Sequence, residues 1–376
     1  MTPRRSPIPM LLLLPALLLA GCGEDGPPPL PPLPPGALEA VAQHPGVDRE
    51  KLARAVDALF TRDDIGETRA LIVLHEGETA AQRYAEGYGP DTRFLGWSVS
   101  KTMTGVMIGM LVADGRLFLD ESPPIERWQR SGDPRGAITL RQLLQMRSGL
   151  RHEEKVEPVY NSPEVRMMFL DGRDDMANWA EAQPLEHEPG RVFDYSTPTA
   201  TILSDIAARV LAPGESADQR QAAVAHFLDS RIAVPLGMPS LTAEYDQAGT
   251  MIGGAMIWAS APDWARFGEF LRHGGSVRGA QLVPRGWIDF MKHESPRAPD
   301  YGAMLWLNRD SDTDRQVLFP QDGPDTLFAA VGHLGQYILV SPDQKLTIVR
   351  FGKTDEADRP ALVSALADIV ALYPGR

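Results

Sequence analysis

Residues 96–117, "GWSVSKTMTGVMIGMLVADGRL", carry the pattern from which the rest of this chain can be interpreted. Apolar residues recur along the stretch as far as Asp114-Gly115, which predicts a buried helix. Ser98 stands three residues before Lys101, and residues at i and i+3 share a helix face. A serine hydroxyl needs a neighbouring base to attack, and a lysine whose pKa is lowered by burial can be that base. The spacing predicts a nucleophile–base pair. The alternative for the same sequence is an N-cap serine followed by a solvent-facing lysine.

The composition is that of a folded, acidic protein. The chain has 376 residues, of which 43% are hydrophobic and 23% charged, with a formal net charge of −13. This length suits one large domain or two fused lobes with a sizeable core. The net charge is negative and the sequence shows no stripe of basic residues, so we expect no nucleic-acid partner.

The first residues predict an exported chain. Residues 1–21 join a basic start to a short, proline-broken apolar run, the pattern of a secretory signal peptide rather than a membrane span. The run ends in "LAGC", which resembles the bacterial lipobox, where the signal is cut before a cysteine that then carries lipid. Cys22 is the sole cysteine of the chain. We expect lipidation at Cys22 and anchoring to the periplasmic face of a cell-envelope membrane, the outer membrane in a Gram-negative cell. The alternative is an ordinary cleaved signal with a stray thiol.

A proline-rich tether follows the cysteine. Residues 22–37 contain "GEDGPPPLPPLPPG", a composition that favours extended polyproline II or a disordered linker. Both interpretations hold a domain away from a membrane. Residues 38–376 then form the folded domain.

Strand patterns lie at both ends of this domain, and helical patterns fill its middle. "RALIVLHEGETAAQRYAEGY" predicts two strands around a Glu76-Gly77 turn, and "LFAAVGHLGQYILVSP" and "QKLTIVRFGK" predict strands near the end. The order predicts an α+β fold. One antiparallel sheet flanked by helices would form a lobe from about 38–130 and 240–376, with an all-helical lobe of about 131–239 inserted. A site should lie in the cleft between the lobes.

Two further motifs could contribute chemistry. Tyr195 precedes Ser196-Thr197 at the start of a helical pattern, and a phenol there could shuttle protons for a leaving group. His333 lies between glycines in a strand pattern, and small residues suit the close approach of a ligand. A partly buried loop aromatic and a structural histidine are the alternatives.

In this order the motifs resemble those of the serine β-lactamase and penicillin-recognising superfamily. The resemblance is specifically to its class C-like branch, with related esterases, D-aminopeptidases and 6-aminohexanoate-dimer hydrolases. The family signature is S-x-x-K, then Y-x-N or Y-S-x, then K-T-G or H-x-G. The matching residues here are Ser98-Val99-Ser100-Lys101, Tyr195-Ser196-Thr197 and His333-Leu334-Gly335. The resemblance covers about residues 48–372 and implies a β-lactamase/transpeptidase-like fold.

The resemblance also implies a role for each matched residue. Ser98 would be the acylated nucleophile and Lys101 its base, while Tyr195 would assist proton transfer to the leaving group and activation of water. The backbone N–H groups of Ser98 and Gln336 would form the oxyanion hole. The implied substrate-binding residues are His333, Gly335 and Thr197.

Two departures from the family signature bear on the substrate. Thr197 replaces an asparagine and so lacks an amide that would orient Lys101 and a substrate amide. His333 replaces a lysine, which leaves a largely neutral imidazole where β-lactamases place a fixed cation for the substrate carboxylate. We therefore expect a serine hydrolase of esters or amides, similar to the 6-aminohexanoate-oligomer hydrolases and esterases, with weak or no β-lactamase activity.

Other functions are also compatible with this sequence. They are a cell-wall D,D-peptidase or D-aminopeptidase, a β-lactamase, and a non-catalytic penicillin-recognising envelope lipoprotein. No H-E-x-x-H, Walker or dinucleotide motif occurs, so we expect no metal and no cofactor. The expected partner is a small ester, amide or peptide-like substrate.

Overall fold

The computed structural model describes residues 32–152 and 156–375. The predicted signal peptide, Cys22 and most of the tether lie outside the described residues. Within the described ranges, no helix is both long and apolar enough to cross a membrane.

Eleven strands are present in the described part of the chain. They are β1 (Glu67–His75), β2 (Glu78–Tyr84), β3 (Arg93–Leu95), β4 (Thr242–Ala243), β5 (Ile257–Ser260), β6 (Ser276–Val277), β7 (Ala280–Gln281), β8 (Trp306–Leu307), β9 (Phe328–Gly332), β10 (Gln336–Ser341) and β11 (Leu346–Lys353). Six of them form one antiparallel sheet in the order β2-β1-β11-β10-β9-β8. The predicted sheet of two distant chain segments is confirmed, because β1 pairs along its length with β11, for example Val73 with Ile348.

Eleven α-helices accompany the strands within the same ranges. They are α1 (Arg49–Thr61), α2 (Val99–Ala113), α3 (Leu140–Leu144), α4 (Pro163–Phe169), α5 (Met176–Glu181), α6 (Thr197–Leu211), α7 (Ala217–Leu228), α8 (Val234–Leu236), α9 (Ala261–Arg272), α10 (Arg285–Met291) and α11 (Arg359–Leu372). Helices α3 to α8 lie between the two groups of sheet strands in the chain, as the helical patterns predicted.

Helices cover the sheet on both faces. All six residues of β10 are buried, which requires a covered surface above and below the strand. Helix α9 packs on β1, β10 and β11, and Gly268 lets it come close: a Cβ there would lie 2.6 Å from Thr347 Cγ2. Helices α1 and α11 pack against each other, and α1 also contacts β1. The mixed fold of helices and antiparallel sheet predicted from the sequence is confirmed.

Helix α2 packs between the sheet and the part of the chain that holds α3 to α8, residues 140–236, which we call the helical segment. It contacts α6 on one side and β9 on another, and its residues from Val99 to Leu111 are all buried. A helix that is apolar all round belongs in a core. Any polar side chain on α2 is therefore enclosed unless it projects from the first turn.

His152 is a buried histidine between α5 and α6. Its Nε2 lies 3.1 Å from the Ala180 carbonyl oxygen, and its Nδ1 lies 3.1 Å from the Thr199 hydroxyl oxygen. A carbonyl oxygen only accepts, so Nε2 carries the proton and Nδ1 accepts from Thr199. Burial lowers the pKa of His152 to about 4.

We expect His152 to make the protein sensitive to acid. As the pH falls from 6.5 toward 4, the unfolded chain binds a proton that the fold excludes, so the free energy of unfolding decreases through that window. The full difference is about 3 kcal/mol. Urea unfolding at pH 7 and pH 5 measures about 2 kcal/mol of this difference. His152→Gln keeps a donor and an acceptor and should lose less stability over this interval than the parent; equal losses would contradict the assignment.

Candidate active site

A strained turn places Ser98 at the start of α2. Trp97, directly before it, has a φ of 47°, a left-handed conformation that is unusual for a bulky residue. The turn is held by hydrogen bonds from the N–H of Gly96 to Ile257 O and from the N–H of Val99 to Gly96 O, 2.9 and 3.1 Å long. Ser98 occupies the N-cap position without making a side-chain capping bond, and it is partly exposed. Its hydroxyl is thus available at the positive end of the helix.

Lys101 points back to this hydroxyl from inside the protein. Its side chain is 1% exposed, and its Nζ lies 2.7 Å from Ser98 Oγ, 2.8 Å from Thr197 Oγ1 and 3.1 Å from Gly254 O. A buried amine is tolerated only when it is hydrogen-bonded in this way. The solvent-facing lysine that the spacing also permitted is excluded.

Thr197 corrects one expectation from the sequence. The replacement of asparagine by threonine was predicted to remove the group that orients Lys101, yet the Thr197 hydroxyl accepts a hydrogen bond from Lys101 Nζ. Thr197 begins α6, whose N-cap Ser196 accepts from the N–H of Thr199. Gly254 lies close against this helix start: a Cβ there would be 2.9 Å from Thr197 Cγ2. The threonine therefore keeps the contact with the lysine but offers no amide to a substrate.

Tyr195 forms an aromatic wall beside Lys101. The centroid of its ring is 4.8 Å from Lys101 Nζ, 5.2 Å from the ring of Trp306 and 5.8 Å from that of Tyr301. Tyr195 is partly exposed, whereas Trp306 and Tyr301 are buried behind it. The structure thus brings the three residues of the predicted catalytic set together. The sequence did not single out Trp306 or Tyr301, because aromatic residues are common in cores.

The end of β9 lies against the turn before Ser98. A Cβ at Gly332 would be 2.3 Å from Gly96 O and 3.2 Å from Trp97 Cβ, so only glycine allows this approach. The next residue, His333, is exposed, and its ring meets the Trp97 ring edge-on at 5.2 Å. His333 therefore lies against Trp97, the residue that precedes Ser98 in the turn.

Gln336 and Gly335 belong to the hairpin between β9 and β10. Gln336 pairs with Gly332 across β9 and β10, and its side-chain amide is held between the hairpin turn and β11 by bonds to His333 O and Gly352 O. Gly335 has a φ of 78°, and a Cβ there would lie 2.8 Å from Arg350 Nη1, on the inner side of the turn. Both residues shape the hairpin. These contacts belong to the hairpin, and the predicted roles of Gln336 in the oxyanion hole and of Gly335 in substrate binding rest on the resemblance alone.

Glu164 is the polar residue of the site that the sequence missed. This residue of α4 accepts a hydrogen bond of 2.9 Å from the Thr197 hydroxyl, and it is partly buried. No local motif marks Glu164, since it lies 33 residues before Thr197 in the chain. Among residues 32–152 and 156–375, no group of three or more His, Cys, Asp or Glu side chains could hold a metal ion.

A serine hydrogen-bonded to a buried lysine beside a tyrosine is the arrangement that the S-x-x-K and Y-x-N motifs of the penicillin-recognising class predict. The chain belongs to the Beta-lactamase family, whose model matches residues 56–371. That match covers the whole sheet, α2 and α6, together with every residue of the site described above.

The three relatives described next carry hydrolase names. The chain is 26% identical over 258 residues to the 6-aminohexanoate-dimer hydrolase of Paenarthrobacter ureafaciens, a match spanning 66% of this chain and 63% of that protein. A solved Bacillus anthracis structure, provisionally named a 6-aminohexanoate-dimer hydrolase, has a TM-score of 0.67 at 22% identity and covers 84% of this chain and 81% of that one. A family VIII carboxylesterase has a TM-score of 0.60 at 17% identity, covering 85% and 97%. These structures support the fold.

Proposed function

We propose that the protein hydrolyses an ester or amide through an acyl-enzyme at Ser98. The observation that carries this proposal is the 2.7 Å contact between Lys101 Nζ and Ser98 Oγ at a helix whose residues from Val99 to Leu111 are all buried. The alternative of a non-catalytic binding protein would give no reason for an amine to be buried there, because burying one is costly.

In the proposed acylation, the Ser98 oxygen bonds to the substrate carbonyl carbon while its proton passes to Lys101. Collapse of the tetrahedral intermediate breaks the bond to the alcohol or amine leaving group, which takes up a proton through the Tyr195 phenol. Water then attacks the acyl-enzyme, releasing the acid and restoring the Ser98 hydroxyl. The proximity of the Tyr195 ring to Lys101 supports this division of roles.

We place the oxyanion hole between the start of α2 and the end of β9. One donor is the N–H of Ser98, as the sequence suggested. In place of Gln336, the second donor is the N–H of His333, because Gly332 directly before it touches the Ser98 turn. Removing one oxyanion-hole donor costs about 10²–10³ in rate in other hydrolases.

The polar groups of the site favour an uncharged or cationic substrate over an anionic one. An exposed histidine stands beside Ser98 where a β-lactamase would place a lysine, and a carboxylate, Glu164, lies behind Thr197. The ring of Trp97, the residue before Ser98, and the ring of Tyr195, beside Lys101, suit an apolar acyl chain. We infer that neutral esters are accepted, as are amides with a cationic end and no net charge, such as the zwitterionic 6-aminohexanoate oligomers, and that β-lactams are poor substrates.

A substrate panel tests this proposal. We expect the domain, produced from residue 36 onward, to hydrolyse p-nitrophenyl butyrate and the 6-aminohexanoate dimer, with little or no turnover of nitrocefin. Preferential release of D-alanine from a D-alanyl-D-alanine peptide would move the assignment to a cell-wall peptidase. Turnover of nitrocefin above the ester and amide would identify a β-lactamase and overturn the proposal.

We further propose that the mature chain is a lipoprotein of the bacterial cell envelope, held by lipid on Cys22. The support is the position of the sole cysteine after "LAG" and the proline-rich stretch that follows. Cells labelled with a radioactive fatty acid should incorporate it into the full chain and not into Cys22→Ser. Equal labelling, or none in either chain, would refute the anchor.

A further inference from the structure

A chain of hydrogen bonds runs from the base to a carboxylate in the helical segment. Lys101 Nζ donates to Thr197 Oγ1 over 2.8 Å, and the Thr197 hydroxyl donates to Glu164 Oε1 over 2.9 Å. Thr197 is fully buried and Glu164 partly so, which limits competition from water. The Thr197 hydroxyl thus links Lys101 to Glu164.

The direction of these bonds determines where the lone pair of a neutral Lys101 points. A neutral amine has two N–H groups and one lone pair. The Gly254 carbonyl oxygen only accepts, so it takes one N–H. A carboxylate also only accepts, so it takes the single proton of the Thr197 hydroxyl, whose oxygen must then accept the second N–H. Of these three partners, Ser98 Oγ, at 2.7 Å, is the one with a proton left to donate to the lone pair.

We propose that Glu164 is a positioning residue for the catalytic base: by holding the Thr197 proton, it directs the lone pair of Lys101 to the Ser98 hydroxyl. This inference rests on the proposed roles of Ser98 and Lys101. Without the carboxylate, the Thr197 hydroxyl can rotate and donate to Lys101. Its proton then competes with that of Ser98 for the same lone pair.

The same arrangement serves the charged state that follows proton transfer. When the Ser98 proton moves to Lys101, the amine becomes an ammonium with three N–H groups, and Oγ is bonded to the carbonyl carbon. Gly254 O and Thr197 Oγ1 keep their hydrogen bonds, because each already accepts from the amine. The negative charge of Glu164 lies one hydroxyl away from the new positive charge and stabilises it.

The rate of covalent labelling by a fluorophosphonate, followed by intact mass, measures the effect directly. We expect Glu164→Ala to lower the second-order labelling rate by about 10–100-fold, the range for losing a hydrogen bond to a charged group. Glu164→Gln should recover most of that loss, because its amide oxygen can accept the same proton. Thr197→Ser should likewise label faster than Thr197→Val.

A double-mutant cycle separates positioning from any other role of Glu164. If Glu164 acts through the threonine hydroxyl, Glu164→Ala should add little to the loss in a Thr197→Val background. An equal loss in both backgrounds, or no loss in the parent, would overturn the inference. Glu186→Gln, which neutralises an exposed acid of the same helical segment, is the matched control and should label like the parent. Thermal melts identify variants that fail to fold; for those, the Gln and Ser variants decide.

The experiment also distinguishes failure of the inference from failure of the proposed function. If the parent is not labelled, or is labelled at a residue other than Ser98, the proposed function fails. If the parent is labelled at Ser98 and the Glu164 variants match it in rate, only the positioning role fails.

Discussion

Ser98→Ala is expected to abolish covalent labelling and to lower hydrolysis of every substrate by about 10³-fold or more. Loss of a nucleophile leaves only the catalysis that binding and the oxyanion hole supply. The substitution should leave the turn and the start of α2 in place, because the Ser98 side chain makes no capping bond to α2 and the turn is held by main-chain hydrogen bonds. The folded state should therefore persist. Intact mass after exposure to a fluorophosphonate, beside the hydrolysis rate, measures both effects.

A second serine provides the control for this variant. Ser148 is buried, and its Oγ accepts a hydrogen bond from the N–H of Leu150 in a turn after α3. Ser148→Ala should label with the same single adduct as the parent. A parent that is folded and active but labelled at another residue would contradict the assignment of Ser98. A folded parent without any adduct or turnover would favour a binding protein.

Lys101→Met is expected to slow acylation by about 10²–10⁴-fold, the usual contribution of a general base. Methionine has a similar length and no lone pair that can accept the Ser98 proton at this distance. The melting temperature should stay the same or rise, because methionine suits an apolar helix and a buried amine does not. Thr197 retains Glu164 as its hydrogen-bond acceptor, so the substitution does not strand that hydroxyl.

Calorimetry beside the labelling rate tests both halves of this expectation. Lys51→Met, at an exposed position of α1, controls for the loss of a positive charge and should change neither quantity. A large fall in melting temperature with labelling intact would mean that Lys101 is structural. Such a result would remove the main support for the proposed function.

Much of the fold follows from local patterns in the sequence. The strands on either side of Glu76-Gly77 and the helix after Ser98 are local features. Each could be predicted from the pattern of its own residues. Their sheet order could be anticipated because both ends of the domain carry strands. Ser98 and Lys101 could be paired without a structure, since helix geometry alone brings i and i+3 together.

What the sequence could not decide were contacts between segments far apart in the chain. From the sequence, threonine in place of asparagine at position 197 was expected to lose the group that orients Lys101, but the fold places the Thr197 hydroxyl within hydrogen-bond distance of Lys101 Nζ. No sequence motif marks Glu164, which accepts a hydrogen bond from that hydroxyl. Gln336 was assigned to the oxyanion hole from its place after H-x-G, although the hairpin register pairs it with Gly332 inside the sheet. The physical reason is common to all three. The sequence specifies which hydrogen bonds a side chain can make, whereas the packing of α2, α6 and β9 decides which partners lie within hydrogen-bond distance.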